Sequence, residues 1–188
     1  LICALFGEAA GQDESDGIRA RELNVSNDPN DHPSRHFQRD IFEKALMDSI
    51  MYRAGNGVMG LEKITYRSSI GDLDIPAYIF QPLTNDGPRS RPALVWVHGG
   101  VHGSMSPIFL PFIKEAVERG YVVIAPDYRG STGYGREYYN AIDYGGYEID
   151  DSIAAADYLL ENLPHVDPDR IAMIGWSHGG FIVLHSVF

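Results

Sequence analysis

The chain has 188 residues, 44% of them apolar and 22% charged, a composition that suits one globular domain and argues against general disorder. Its 15 Lys and Arg against 26 Asp and Glu give a formal net charge of −11, which excludes neither an enzyme nor a binding protein but does not fit a nucleic-acid or anionic-membrane binder. The single cysteine excludes an internal disulfide framework and a multi-cysteine zinc site. No apolar run approaches the ~18 residues that span a bilayer.

The two ends of the chain carry separate expectations. Apolar Leu1–Phe6 precedes the small residues Gly7 and Ala9, so residues 1–10 fit the remnant of a secretory signal in a secreted or periplasmic protein. They fit equally well the start of a buried strand or helix in a cytoplasmic protein. At the other end, Val187 and Phe188 lie in an apolar segment without a helix-ending signal, so we expect a fold that is incomplete at the C-terminus.

Residues 11–60 combine a polar linker with one helix. The stretch 11–40 is rich in Asn, Asp and Pro, which is loop chemistry. Apolar residues then recur at helical spacing, which predicts an amphipathic helix over 40–53. Gly55–Gly60 has the letters of a dinucleotide-binding fingerprint, but a helical pattern precedes it and a strand pattern follows, the reverse of what phosphate binding needs. We interpret it as a flexible connection. The apolar positions of the helix are Ile41, Phe42, Ala45, Leu46 and Ile50, with Ser49 on the same face.

Beyond residue 60, predicted strands and helices alternate. Two alternating segments joined at Gly71-Asp72 predict an antiparallel hairpin, and short apolar runs predict buried strands. The order predicts an α/β fold with a mostly parallel sheet, helices on both faces and an N-terminal antiparallel hairpin. The predicted elements are strands at 62–69, 73–80 and 93–97, a helix at 108–117, a strand at 121–125, a helix at 148–162 and a strand at 170–174.

The last predicted strand runs into a G-x-S-x-G motif, Gly175-Trp176-Ser177-His178-Gly179, and a helix follows. Between a strand and a helix, this motif holds a serine at the tip of a strained turn, where it acts as a nucleophile. We expect Gly175, Gly179 and Gly180 to be structural, because side chains would collide across so tight a turn. The helix N-terminus beneath Ser177 favours a developing negative charge.

An earlier strand ends in His98-Gly99-Gly100, the position at which proteins with this turn place a second backbone donor for an oxyanion. His98 and His102 have i, i+4 spacing, but they lie on a loop without a nearby Glu or Cys to complete a metal site. We therefore predict neither a metal nor a cofactor. Ser177 is the candidate nucleophile, and the loop after His98 is the candidate second half of an oxyanion hole.

The chain resembles the catalytic domain of the prolyl oligopeptidase (S9) serine peptidases, an α/β-hydrolase fold, with the acylaminoacyl-peptidase and dipeptidyl-aminopeptidase branches nearest. The resemblance covers residues 61–188, which we interpret as the N-terminal part of that domain. The residues that carry it, beyond the G-x-S-x-G motif, are Ala125-Pro126-Asp127-Tyr128-Arg129-Gly130-Ser131-Thr132-Gly133-Tyr134-Gly135, then Glu148 and Asp150-Asp151, and Gly179-Gly180.

The resemblance implies roles for the site residues. Ser177 would be the nucleophile, and the backbone amides of His178 and Gly100 would form the oxyanion hole. Val101 departs from the proline that often follows the two glycines in the family, which loosens the register of the second donor. The family's catalytic Asp and His follow the serine at a distance, whereas eight residues follow Gly180. We expect the triad partners to lie beyond residue 188 and the chain alone to be nearly inactive.

Four histidines within the chain could be considered as the missing base, and the sequence favours none of them. His178 adjoins the serine and cannot easily fold back, and His185 lies about two helical turns further on. His98 and His102 are expected to shape the oxyanion-side loop. The sixty residues before the hairpin are too few to build the family's β-propeller, so either the protein has no propeller or this sequence starts after it.

Three functions remain open at this stage. The leading hypothesis is a serine-type peptidase that acts on small peptides or aminoacyl amides. A carboxylesterase of the same fold would use an identical turn, because ester and amide acyl transfer need the same groups. The third is a non-catalytic domain that uses the pocket for binding. The sequence leaves the oligomeric state open.

Overall fold

The computed structural model describes residues 36–84 and 86–187. The predicted signal remnant at residues 1–10 and the polar linker up to residue 35 lie outside the described residues. The described part is organised around one five-stranded sheet. No helix in these two ranges is both long and apolar enough to cross a membrane.

The sheet has the predicted antiparallel start and parallel continuation. Its order is β1-β2-β4-β3-β5. Strands β1 and β2 form the hairpin, β2 pairs antiparallel with β4, and β3 is parallel to both β4 and β5. The predicted α/β-hydrolase architecture is therefore confirmed. The strands are β1 (Gly60–Arg67), β2 (Asp74–Gln81), β3 (Arg91–Val97), β4 (Val122–Pro126) and β5 (Val166–Gly175).

The helices lie on both faces of the sheet because the chain first moves from β3 to β4 and then crosses back past β3 to β5. Right-handed crossovers in opposite directions put their helices on opposite faces. One face is covered by α2, and the other by α4 and α5. The helices are α1 (Phe37–Gly55), α2 (Leu110–Glu118), α3 (Arg136–Tyr139), α4 (Tyr147–Asn162) and α5 (His178–His185), with a 3₁₀ turn at Pro107–Phe109 before α2.

Alternation along the strands divides the core into two clusters. In β3, Val95 and Val97 pack towards α4 and α5, while Leu94 and Trp96 pack towards α2. The connections that leave the adjacent strands β3 and β5 thus go to opposite faces. A crevice forms at the carboxyl ends of such a strand pair, and ligands of α/β proteins bind there.

Helix α1 exists, but its buried face is not the predicted one. The predicted apolar positions are exposed: Phe42 by 70% and Leu46 by 49%. The buried side chains of α1 include Lys44 and Met51 instead. Helical periodicity identified the helix correctly, but the face that packs was decided by contacts with distant elements, polar at Lys44 and apolar at Met51.

Strand β5 is buried less than predicted. The sequence suggested a buried strand, whereas Ala172 and Ile174 are exposed on the α2 side, Ile174 by 44%. Among the described strands β5 is at the end of the sheet and pairs only with β3. Its other face, with Ile171 and Met173, packs against the core as expected.

The predicted turn at Gly71-Asp72 has the backbone that its residues suggest. Gly71 and Asp72, between β1 and β2, both have positive φ, at 75° and 52°. The connection after α1, which the sequence suggested to be flexible, is instead a tight hydrogen-bonded turn, in which the amides of Val58 and Met59 donate to Gly55 O at 3.0 and 2.9 Å. A helix precedes and a strand follows it, so the backbone for a dinucleotide phosphate is absent at Gly55–Gly60.

Candidate active site

Ser177 lies in the turn between β5 and α5, at the carboxyl edge of the sheet. Its backbone has φ 56° and ψ −118°, a left-handed conformation that costs a non-glycine residue about 1–3 kcal/mol. Hydrogen bonds close the turn on both sides, from Gly179 N to Trp176 O and from Phe181 N to Ser177 O, each 3.0 Å. The serine is thus held at the N-terminus of α5, where the helix dipole favours negative charge.

Two of the three predicted structural glycines have no room for a side chain. A Cβ on Gly175 would lie 2.8 Å from Gly180 N, and one on Gly179 would lie 2.7 Å from His98 O. Gly180 differs, because its Cβ would meet Gly175 O at 3.5 Å, an ordinary contact. The close approach of backbone to backbone therefore requires glycine at 175 and 179, and the packing gives no such reason at 180.

The loop that follows β3 runs directly against Ser177. A Cβ on Gly99 would be 2.6 Å from Trp176 O and 3.3 Å from Ser177 Cβ. Gly100 has φ 71°, and its carbonyl accepts a 2.8 Å bond from Gly103 N. Among the residues described, no hydrogen bond uses the backbone amide of Gly100 or His178. The N–H groups of both predicted oxyanion donors, which lie in the turn of Ser177 and in the loop beside it, therefore have no acceptor among the described residues.

The oxyanion-side loop, His98–Met105, is held in place by the loop that follows β4. The hydroxyl of Tyr128 donates to His98 O and Gly100 O, both at 3.2 Å. The amide of Thr132 donates to Gly103 O at 3.0 Å. The Tyr128–Thr132 part of the most family-specific motif thus orders the loop beside the nucleophile, a role that local sequence signals did not reveal.

His98 and His102 also belong to this support. His98 is buried, stacks on Tyr128 and lies with Nε2 2.9 Å from Ser131 Oγ. Burial lowers the pKa of His98, which favours the neutral ring at pH 7. His102 stacks on Tyr139, and its Nδ1 lies 2.6 Å from Gly130 O. Both rings are engaged with the loop, in agreement with the role expected for them.

His178 faces away from the serine, towards a buried carboxylate. Its Nε2 lies 3.4 Å from Glu148 Oε1. Glu148 accepts hydrogen bonds from the amides of Gly145 and Gly146, the latter at 3.1 Å. Burial by itself raises the pKa of Glu148, but His178 and the Gly145 amide outweigh it and hold the pKa at about 2. The lowered pKa favours the charged form of Glu148 at neutral pH, and this carboxylate orients the residue whose amide is the predicted oxyanion donor.

No histidine within residues 36–84 and 86–187 forms a hydrogen bond to the Ser177 hydroxyl. His185 is exposed and contacts the Phe181 ring, with 4.3 Å between centroids. His165 pairs with Gln81 at 3.0 Å, beside the opposite end of the strands. The described residues thus supply a strained serine and backbone donors, and a general base is not among the groups that contact the serine.

An apolar groove of about 870 Å³ begins at Ser177 and Gly99 and continues along β3, β5 and α2. It extends to Arg119 and Tyr121, at the amino end of β4. Only its Ser177 end lies at the carboxyl edge, where ligands of α/β sheets bind. The remainder is sheet surface that no described element covers. Its apolar lining includes Leu94, Trp96, Phe109, Phe112, Ile174 and Trp176.

The sheet order, the serine turn after β5 and the backbone donors after β3 define the chain as an α/β-hydrolase. Residues 111–188 match the model of the prolyl oligopeptidase family. With the relatives described next, this match bears out the resemblance to the S9 peptidases over that segment.

The relatives are peptidases. The chain is 33% identical to "Uncharacterized peptidase YuxL" of Bacillus subtilis over 123 residues, which cover 64% of this chain and 19% of that protein. It is 40% identical to "Probable dipeptidyl-peptidase 5" of Emericella nidulans over 116 residues, 58% of this chain and 16% of that protein. The chain therefore spans less than a fifth of the length of these two relatives.

The fold matches that of a solved relative. A puromycin-hydrolyzing peptidase of Mycobacterium tuberculosis superposes with a TM-score of 0.59 at 32% identity, over 66% of this chain and 20% of that one. The two chains therefore share a fold over most of this chain, but this region is only a fifth of the solved protein.

Proposed function

We propose that this protein is a serine hydrolase of the peptidase type, which cleaves small peptides or aminoacyl amides through an acyl-enzyme on Ser177. The observation that carries the proposal is the strained Ser177 backbone, with φ 56° at the start of a helix, directly beside the Gly99–Gly100 turn. A serine is kept in this costly conformation when its hydroxyl has to project from the turn.

The chemistry follows from this arrangement. Ser177 Oγ attacks the carbonyl carbon of the substrate and loses its proton to a general base, while the carbonyl oxygen takes up negative charge. The amides of His178 and Gly100 donate to that oxygen. Backbone donors that are already in position before the reaction stabilise the negative charge strongly, because they do not have to reorganise as it forms. The tetrahedral intermediate then expels the amine, which takes a proton, and water later releases the acyl group from Ser177.

The test is labelling by a fluorophosphonate probe in the protein as its gene encodes it. We expect the probe to modify Ser177, and Ser177→Ala to abolish the labelling. Ser186→Ala is the matched control, since Ser186 lies at the C-terminal end of α5 and its hydroxyl donates a hydrogen bond to Ile182 O at 2.9 Å. Labelling that persists in Ser177→Ala would exclude Ser177 as the nucleophile.

Substrate assays separate the remaining functions. Ser177-dependent hydrolysis of aminoacyl-arylamides supports the peptidase. Hydrolysis of short-chain aryl esters without any arylamide cleavage would instead indicate the carboxylesterase. A protein that folds, binds peptides and reacts with neither substrate nor probe would be a binding domain, and the proposal would be wrong.

A further inference from the structure

Helix α1 buries a lysine while it exposes its apolar side chains. Lys44 is only 4% exposed, whereas Phe42 on the same helix is 70% exposed. A buried ammonium group is costly unless it is paired and hydrogen-bonded. The partners of Lys44 therefore indicate why α1 packs with this face inward.

Lys44 and Asp127 together fix the backbone of one residue. The Nζ of Lys44 donates to Met105 O at 2.6 Å and lies 3.0 Å from Asp127 Oδ2. The fully buried Asp127 accepts a hydrogen bond from Met105 N and another from Tyr134 OH at 2.5 Å. Both backbone polar groups of Met105 are thus held by charged side chains, and such hydrogen bonds are the stronger kind.

Met105 is the end of the oxyanion-side loop, which begins at His98 and contains Gly100. His98 at the other end is fixed by Ser131 at 2.9 Å. The backbone at Gly100 depends on both anchors, because the intervening loop contains two glycines besides it, Gly99 and Gly103, and glycine has the least restricted backbone.

We propose that Lys44 is a positioning residue for catalysis. It clamps the Met105 carbonyl directly and the Met105 amide through Asp127, and so holds the Gly100 amide where the oxyanion forms. The inference rests on the proposed function, because it presupposes attack by Ser177. It makes α1, which precedes the segment that resembles the catalytic domain, a part of the active-site support.

The experiment compares three variants of the protein as its gene encodes it. Lys44→Met removes the charge and leaves Asp127 buried and unpaired. Lys44→Met/Asp127→Asn removes both charges and keeps an oxygen that can accept from Met105 N, so it separates loop positioning from the cost of an unpaired charge. Lys63→Met is the control. Lys63 pairs at 2.6 Å with Asp48, which also lies 3.5 Å from Lys44, so the variant disturbs the same charge cluster. Among the described residues, however, Lys63 forms no hydrogen bond or ion pair with Met105 or Asp127.

Three quantities are measured: unfolding by denaturant, amide exchange at Gly103 and Met105, and the rate at which a fluorophosphonate labels Ser177. We expect Lys44→Met to be destabilised or to fail to fold, and the double variant to regain stability. In the double variant we expect exchange at Met105 to be about tenfold faster and labelling about tenfold slower than in the wild type, since the donor to Met105 O is missing. Lys63→Met should change neither rate.

The outcomes distinguish this proposal from the function on which it rests. If the wild type is not labelled at Ser177, the proposed function is wrong and the positioning role falls with it. If the wild type is labelled and the double variant exchanges and reacts at wild-type rates, only the role of Lys44 is overturned. Faster exchange with unchanged labelling would likewise reduce Lys44 to a structural residue.

Discussion

Strain at Ser177 is tolerated because the backbone around it is packed without side chains. The left-handed conformation of Ser177 costs about 1–3 kcal/mol, and it persists where the surroundings determine the backbone. The ends of β3 and β5 and the start of α5 meet here, and Gly179 lies so close to Val97 O and His98 O that a Cβ cannot fit. The rigidity of the turn thus depends on glycine at particular positions.

At this scale we predict different results for two adjacent glycines. Gly179→Ala should lower the free energy of unfolding by about 3 kcal/mol or more, or prevent soluble expression, because its Cβ collides with backbone. Gly180→Ala should change it by about 1 kcal/mol or less, since its Cβ meets Gly175 O at 3.5 Å and alanine favours a helix. Denaturant unfolding of both variants measures the difference. Equal midpoints would contradict this account of the turn.

At the scale of elements, Arg129 connects three parts of the fold. Its guanidinium forms two hydrogen bonds to Asp151 of α4, at 2.8 and 2.7 Å. It also donates to Ser68 Oγ and Ile70 O, in the turn after β1, at 3.1 and 3.0 Å. Arg129 therefore fixes the loop after β4, and that loop in turn holds the oxyanion-side loop through Tyr128 and Thr132.

We predict that Arg129→Met destabilises the protein by about 3–5 kcal/mol, because it leaves Asp151 as an uncompensated buried charge. Arg67→Met is the matched control. Arg67 pairs with Asp74 at 2.7 Å, but both side chains are about half exposed or more, and such a pair contributes about 0–1 kcal/mol. Thermal unfolding of the two variants checks the prediction, which fails if their midpoints shift equally.

At the scale of the whole molecule, the described fold leaves the β5 edge and one face of the sheet beside it open. Strand β5 is one of the two end strands among those described, and Ile174 and Trp176 are 44% and 72% exposed beside the apolar groove. Unpaired apolar edges recruit other strands, and uncovered apolar faces promote association.

We therefore predict that the 188-residue polypeptide self-associates. Because no histidine among the described residues forms a hydrogen bond to the Ser177 hydroxyl, we also predict that it hydrolyses neither esters nor arylamides appreciably. Ile174→Lys should reduce the association, because a charge on an edge strand opposes pairing. Ile153→Lys, at a similarly exposed isoleucine of α4 (39%), should not. Size-exclusion chromatography measures the effect. A monodisperse wild-type monomer with turnover that Ser177→Ala removes would overturn the prediction.

The sequence alone was sufficient for those features that depend on local patterns. Hydrophobic periodicity and turn residues predicted the hairpin, the order of strands and helices and the turn at Gly71-Asp72, because each is determined by residues near one another in the chain. The G-x-S-x-G motif between a strand and a helix likewise identified Ser177 as the candidate nucleophile, and the resemblance to the S9 family is borne out by the comparisons.

Only the tertiary structure decided which faces are buried and which polar groups meet. Lys44 and Met105 are 61 residues apart in the chain, so periodicity in α1 could not reveal that a lysine faces inward and Phe42 outward. Glycine is required at 179 and not at 180 because the end of β3 packs against Gly179. The exposure of Ile174 likewise depends on which elements cover β5. Local patterns determine which elements form, whereas burial and pairing are set by contacts between residues that are distant in sequence.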